Sequence, residues 1–321
     1  MAAQVVVRST RTRLLDEAVR SLMETCQWEE IVPRDGCVAL KLNLNTAVPE
    51  KIESANTSPA LVESVCRVLQ ARTHDIALVE AHAYRNSAEE AFAATGIYEV
   101  AQRVGAKVIN LSHEPCREVG NPILGALPAI LLDADVFMTL PVVKTHALTY
   151  FTGSLKNQWG CVPRYDRISL HWALDELLVD LQRLLKPQLC IMDGIIGVDR
   201  RGPTNGRPRR LDIVLGSADA VALDATAMRL VGLDPTRARH VVMAAQAGLG
   251  KFQPEDIQID SDWEPEPGWT PFEPAQLDWA VAGMNRLSRY AWFRRYFLEV
   301  TPIFAAGKRM VNFLRKVGIV R

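Results

Sequence analysis

Residues 133–171 read D-A-D-V-F-M-T-L-P-V-V-K-T-H-A-L-T-Y-F-T-G-S-L-K-N-Q-W-G-C-V-P-R-Y-D-R-I-S-L-H. An apolar strand over Val136–Leu140 runs on into Lys144-Thr145-His146. Lys156 follows inside a loop bounded by Gly153 and Gly160, and a helix begins at His171. Two ammonium groups and two imidazoles thus fall on one connection that leaves a buried strand. That pattern points to an α/β protein with its chemistry at a strand end.

The same alternation extends on both sides. Strand patterns at Val38–Leu42, Ile76–Val79, Lys107–Leu111, Leu189–Met192 and Leu211–Leu215 are separated by helical periodicity. The helical stretches cover residues 12–31, 59–69, 171–185 and 221–231. Ser87-Ala88-Glu89-Glu90 carries a capping-box start, and Gly96 ends that helix. The predicted fold is α/β, a mostly parallel sheet flanked by helices, in two lobes with a cleft and with a C-terminal helical appendage. The domain reading is 1–255 for the catalytic-type unit. Residues 256–321 follow as an acidic linker and a basic, aromatic helical tail.

The chain has 321 residues, a formal net charge of zero, 48% hydrophobic and 23% charged residues. Such totals describe an ordinary globular chain and give no footprint for nucleic acid. The six cysteines are scattered without a C-x-x-C pair, so no iron–sulfur or zinc-ribbon motif is built in. They read as reduced thiols, and the localisation expected is cytoplasmic. The start, M-A-A-Q-V-V-V-R, is too short an apolar run for a signal peptide, and no stretch is long enough for a spanning helix.

In open α/β sheets ligands bind beyond the carboxyl ends of strands. Four strand ends deliver polar groups there: Lys41, Asn43 and Asn45; Glu80 and His82; Lys144 and His146; and Asp193. Lysine beside histidine suits an anion held while an imidazole moves a proton. The catalytic candidates are His82, Lys144, His146 and His171. Lys41, Asn43, Lys156 and Asn157 are candidates for holding a cofactor or anion. His171, Asp193 and Asp224 are candidates for a metal. Each has a plainer alternative: a solvated loop lysine for Lys156, a turn aspartate for Asp193, a helix-dipole carboxylate for Asp224. The arginine-rich stretch Asp199–Arg210 is either a phosphate clamp or a solvated face. The tail, 279–321, offers peripheral membrane contact, homo-oligomer contact or intramolecular packing.

L-P-V-V-K-T-H (140–146), T-G-S-L-K-N-Q-W-G-C-V-P (152–163), His171, P-Q-L-C-I-M-D-G-I (187–195) and S-A-D-A-V-A-L-D-A-T-A (217–227) together resemble domain-of-unknown-function family 362 over about residues 36–250. Many members are described as iron–sulfur proteins through a fused ferredoxin-like segment, which is lacking in this chain. Asp199 stands where that family usually has glutamate. The chain also resembles, more distantly, the nickel-pincer-nucleotide lactate racemases. That resemblance implies His82 and His146 as an acid–base pair, Lys156 as cofactor anchor and His171 as metal ligand. The cofactors in view are therefore a divalent metal or a nickel-pincer-type nucleotide. The functional expectation is an enzyme acting on a small carboxylate or phosphorylated metabolite by proton or hydride transfer. A metal- or redox-dependent accessory protein and a non-enzymatic binding protein are the alternatives.

Overall fold

The computed structural model describes residues 2–83, 86–277 and 279–298. Its strands, in chain order, are β1 (Ala3–Ser9), β2 (Val38–Lys41), β3 (Ile76–Glu80), β4 (Lys107–Asn110), β5 (Cys116–Glu118), β6 (Ala126–Pro128), β7 (Val136–Thr139), β8 (Val142–His146), β9 (Tyr150–Phe151), β10 (Leu189–Asp199), β11 (Arg207–Ser217) and β12 (Ile257–Ser261). Among the described residues ten of them form one sheet along the path β12-β1-β11-β10-β7-β2-β3-β4, with β8 and β9 to one side. The strands from β10 through β4 run parallel, whereas β11 is antiparallel to both β10 and β1. The sheet is thus mixed rather than purely parallel. β5 and β6 pair separately.

The valine run at the start forms β1 inside this sheet. Val6 packs on one face with the helices Leu15–Thr25 and Pro59–Leu69, while Val5 and Val7 pack on the other with Ala220–Leu230 and Arg239–Gln246. Both faces of the sheet are covered, which is why β2, β3 and β7 read as unbroken apolar runs.

Several boundaries differ from the sequence reading. Pro141 splits the expected strand through Lys144 into β7 and β8. β10 continues past Asp193 to Asp199 with an irregularity between Gly194 and Ile196, so Asp193 sits within a strand. The polar stretch 199–210 is a hairpin that places Arg207, Arg209 and Arg210 on β11 and leaves Arg200 and Arg201 in the turn. Ile257–Ser261, expected in the acidic linker, pairs with β1 in parallel. His171 lies in the 3-10 turn Arg167–Ala173, ahead of the helix Leu174–Leu185.

The chain divides into two compact units. The first comprises residues 1–163 and 175–276, and the second residues 164–174 and 277–321. The second carries the separate C-terminal helical segment, with Trp279–Leu287 as its main helix and Arg294 stacked 5.0 Å over the Trp172 ring. Among the described residues no helix is long and apolar enough to cross a membrane.

The capping box predicted at residue 87 is formed. Ser87 Oγ accepts the Glu90 amide at 3.0 Å, and Glu90 Oε2 accepts the Ser87 amide at 2.8 Å. Ser87→Ala should cost about 1 kcal/mol, read from urea unfolding.

Candidate functional site

The chain passes from β2 to β3 to β4 on one side, then returns to place β7 on the other side of β2. The strand order reverses between β2 and β7, and a doubly wound sheet opens its ligand crevice at such a point. Lys41 and Thr139 are paired there in register. Asn157, on the short helix Gly153–Asn157, bridges the two strand ends. Its Nδ2 donates to Thr139 Oγ1 at 2.7 Å and to the Lys41 carbonyl at 3.3 Å.

From Asn157 a buried polar network spreads outward. Asn43 Nδ2 donates to Asn157 Oδ1 at 2.8 Å, and Asn43 Oδ1 accepts from Lys144 Nζ at 2.5 Å. Lys144 Nζ also donates to the Ala55 carbonyl at 2.7 Å. Lys41 Nζ lies 2.7 Å from Glu80 Oε1, and both side chains are buried. The second Glu80 oxygen accepts the Leu44 amide at 2.8 Å. A Cβ on Gly160 would stand 2.6 Å from Lys41 Nζ and 2.8 Å from Glu80 Oε1, so glycine lets that chain segment lie against the ion pair.

Lys144 is fully buried. Desolvation, helped by the nearby charge of Lys156, pulls its amine down to about 7, against the partial opposition of Glu80 and Asp193. Two buried carboxyl groups are shifted the other way. Burial raises Asp193 to about 6, although it accepts the Ser58 and Ile195 amides at 2.7 and 3.0 Å. Burial likewise raises Asp224 to about 7, although its two oxygens accept the Ser154 and Leu155 amides at 2.6 and 3.0 Å. Asp224 therefore anchors the helix that carries Lys156 and Asn157.

Both candidate histidines of the first unit have Nδ1 occupied by main-chain donors. His146 Nδ1 accepts the Leu148 and Thr149 amides at 3.1 and 3.2 Å. His82 Nδ1 accepts the Ala88 amide at 3.0 Å. Their neutral forms hence carry the proton on Nε2 and act as N–H donors.

The structure thus joins Lys41, Asn43, Lys144 and Asn157 directly. Asp193 and Asp224 reach the same region through backbone amides. His171 belongs to the second unit. Among the described residues no three His, Cys, Asp or Glu side chains gather into a group able to hold a metal ion, and the oxygens of Asp193 and Asp224 are directed at amides. The metal role expected of Asp193 and Asp224 stays a proposal, with their oxygens turned to backbone amides in this structure. The arginines do not form an open phosphate clamp. Arg207 and Arg209 pair with the buried Asp199 at 2.7 and 2.8 Å, Arg200 with Glu273 at 2.7 Å and Arg210 with Asp212 at 2.9 Å.

Of the three histidines outside the sequence reading, His74, His113 and His240, two stand near these groups. His240 is fully buried, and burial together with the Lys156 charge lowers it to about 3. His113 stands beside His82, three residues beyond the end of β4. The register of β4 against β3 is the only signal that would have found it. A cavity of about 670 Å³ opens at the same sheet edge, lined by Thr46, Lys51, Asn86, Glu90, Ala93 and Thr204. That is a volume for a small molecule.

With the geometry in hand, comparison with known proteins adds three findings. A family model described as "Domain of unknown function (DUF362)" matches residues 38–229. The thylakoid-associated protein sll1697 of Synechocystis sp. is 36% identical over 128 residues, which are 37% of this chain and 39% of that protein. The chain thus spans about two fifths of the length of that curated relative. The expected cytoplasmic localisation is overturned by this relative, which is named for its association with thylakoids. Among solved structures, the lactate racemase apoprotein from Thermoanaerobacterium thermosaccharolyticum is distantly similar, with a TM-score of 0.47 and 9% identity over 71% of this chain and 57% of that one. No residue role follows from a likeness of that depth.

Proposed function

The chain belongs to the DUF362 family, and on that premise we propose that it is an enzyme acting on a small anionic metabolite, a carboxylate or a phosphate ester, by proton or hydride transfer. One observation carries this reading: a fully buried lysine, held near neutrality and tied through Asn43 and Asn157 to the sheet's switch point. A buried amine with that proton affinity costs stability, and such costs concentrate where chemistry is done. Lys144 can hold or release a proton near pH 7. Lys156 supplies positive charge for the anion, and His146 offers an Nε2–H donor to a substrate oxygen.

Thermal unfolding against a panel of small carboxylates and phosphate esters tests this. A true ligand at a hundred times its Kd stabilises by about 2.7 kcal/mol, a rise of roughly 4 °C for a chain of 321 residues. Lys144→Met and Lys156→Met should each abolish that rise while remaining folded. No rise across the panel, with no small molecule or Lys156 adduct in the native mass spectrum, would sink the proposal.

A second reading concerns location, and the name of the Synechocystis relative favours it. The chain associates peripherally with a membrane through its C-terminal segment. Tyr290, Trp292, Tyr296 and Phe297 are about half exposed, and the exposed Arg286, Arg289 and Arg295 lie among them. Aromatic rings with interleaved arginines suit a headgroup interface. The basic run 308–316 of the expected tail lies outside the described residues. Vesicles of phosphatidylglycerol should co-sediment the protein, with binding that weakens as salt rises. The double variant Trp292→Ala/Phe297→Ala should stay soluble. Equal sedimentation of both proteins would contradict the assignment.

A further inference from the structure

The cavity of about 670 Å³ at the sheet edge is built from three separate segments of the first unit. One wall is the loop after β2, where Thr46 and Val48 lead to Lys51. Asn56 pins that loop, since its Oδ1 accepts the Thr46 amide at 3.2 Å and its Nδ2 donates to the Thr46 carbonyl at 2.8 Å. The second wall is the helix Ala88–Thr95, set by its capping box, which presents Glu90, Ala93 and Ala94. The third is the hairpin between β10 and β11, which contributes Thr204. Gly202 seats that hairpin on β8, because a Cβ there would run into the Thr145 carbonyl oxygen. The walls are held by the protein's own bonds and contacts, as in a preformed ligand site.

Two opposite charges stand on different walls, and among the described residues neither has an ionic partner. Lys51 Nζ donates to Asn205 Oδ1, a neutral group next to Thr204 in the hairpin. Glu90 Oε2 accepts the Ser87 amide at 2.8 Å, and the capping box leaves Oε1 unused. A simple anion in this space would be drawn to Lys51 and repelled by Glu90, and a simple cation would meet the reverse. A zwitterion satisfies both, with a charge-assisted hydrogen bond at each end. The lining also offers apolar surface. Val48 is 44% exposed, and the exposed Ala93 and Ala94 are too small to fill the volume. That leaves room for a bulky hydrocarbon group.

We infer that this cavity binds a free amino acid with a bulky apolar side chain. The ligand's carboxylate accepts from Lys51, its ammonium donates to Glu90, and its side chain rests on Val48, Ala93 and Ala94. The inference does not rest on the enzyme reading, because none of these residues belongs to the Lys144 network.

Titration of the full-length ¹⁵N-labelled protein with L-phenylalanine, followed by amide NMR, tests the site. The amides of Val48, Ala93 and Ala94 should shift and reach saturation. 3-Phenylpropanoate lacks only the ammonium and phenethylamine only the carboxylate. Each should bind roughly tenfold more weakly than phenylalanine, or worse, since a charge-assisted bond is lost. Glu90→Gln keeps the capping box, which accepts glutamine at that position, and should erase the preference for phenylalanine over 3-phenylpropanoate. Lys51→Met should erase the preference over phenethylamine. Unchanged amide positions elsewhere in the spectrum show that each variant is folded. No shift with phenylalanine, equal binding of either single-charge analogue, or a preference that survives in its matching variant overturns the inference. Turnover enters none of these readouts, so the amino-acid site and the enzyme reading fail separately.

Discussion

Gly153→Ala is expected to lower the stability of the protein by about 2–5 kcal/mol, which at its upper end unfolds a marginal domain. The residue has φ +57°, a left-handed conformation that costs a residue with a Cβ about 1–2 kcal/mol. An added Cβ would also meet three atoms of the Asp224 carboxyl group at 2.4–2.6 Å. Asp224 is fully buried and has no room to retreat without breaking its bonds to the Ser154 and Leu155 amides. Overpacking of this kind typically adds about 1–3 kcal/mol. The damage would reach the site, because those amides open the helix that presents Lys156 and Asn157. Denaturant unfolding gives the cost directly. A loss below about 1 kcal/mol would mean that the glycine is not needed for the approach to Asp224. Gly105 is the control, since it also has positive φ but nothing stands within 4 Å of its added Cβ, so alanine there should cost only the backbone term.

The sheet and the convergence of Lys41, Asn43 and Lys144 were legible in the sequence for a shared reason. Strands buried on both faces are apolar throughout, so each change to a polar residue marks a carboxyl end. What the pattern does not carry is partner choice. Nothing local in Asp193 or Asp224 says which backbone amides their oxygens accept. Arg207 and Arg209 look like an anion clamp until the hairpin returns them to Asp199. The Val5–Val7 strand carries no local mark of its pairing, because its partner β11 lies some two hundred residues away. Ile257–Ser261 was hidden by its acidic neighbours, since an edge strand needs few buried residues. His113 was invisible for the same non-local reason: its spacing from His82 means nothing without the register of β3 and β4.

The second large effect is a stability that rises on the alkaline side of neutrality because of one lysine. Lys144 has a folded-state pKa of about 7, against 10.5 for an ordinary lysine. Between these values the unfolded chain binds the proton and the folded chain does not. Stability therefore increases with pH across that window, and the contribution is lost as pH falls through 7. The full shift corresponds to about 5 kcal/mol, of which about 2 kcal/mol falls between pH 7 and 9. Asp193 and Asp224 act in the opposite sense. Their folded pKa values, about 6 and about 7, lie above the ordinary 3.8, so they stabilise in acid and that contribution disappears as pH rises toward 7. The three groups together place a minimum near neutral pH. Above pH 9 the buried thiols of Cys66 and Cys190, raised by desolvation, oppose the lysine, so the test belongs between pH 7 and 9. Urea unfolding of the parent protein and of Lys144→Met over that range isolates the lysine. Methionine is similar in volume but cannot titrate, and the loss of bonds to Asn43 and Ala55 shifts its curve by an amount independent of pH. The difference between the two proteins should thus grow by about 2 kcal/mol in favour of the parent from pH 7 to pH 9. A constant difference would mean that Lys144 keeps its proton throughout, which would remove the near-neutral amine on which the proposed chemistry depends.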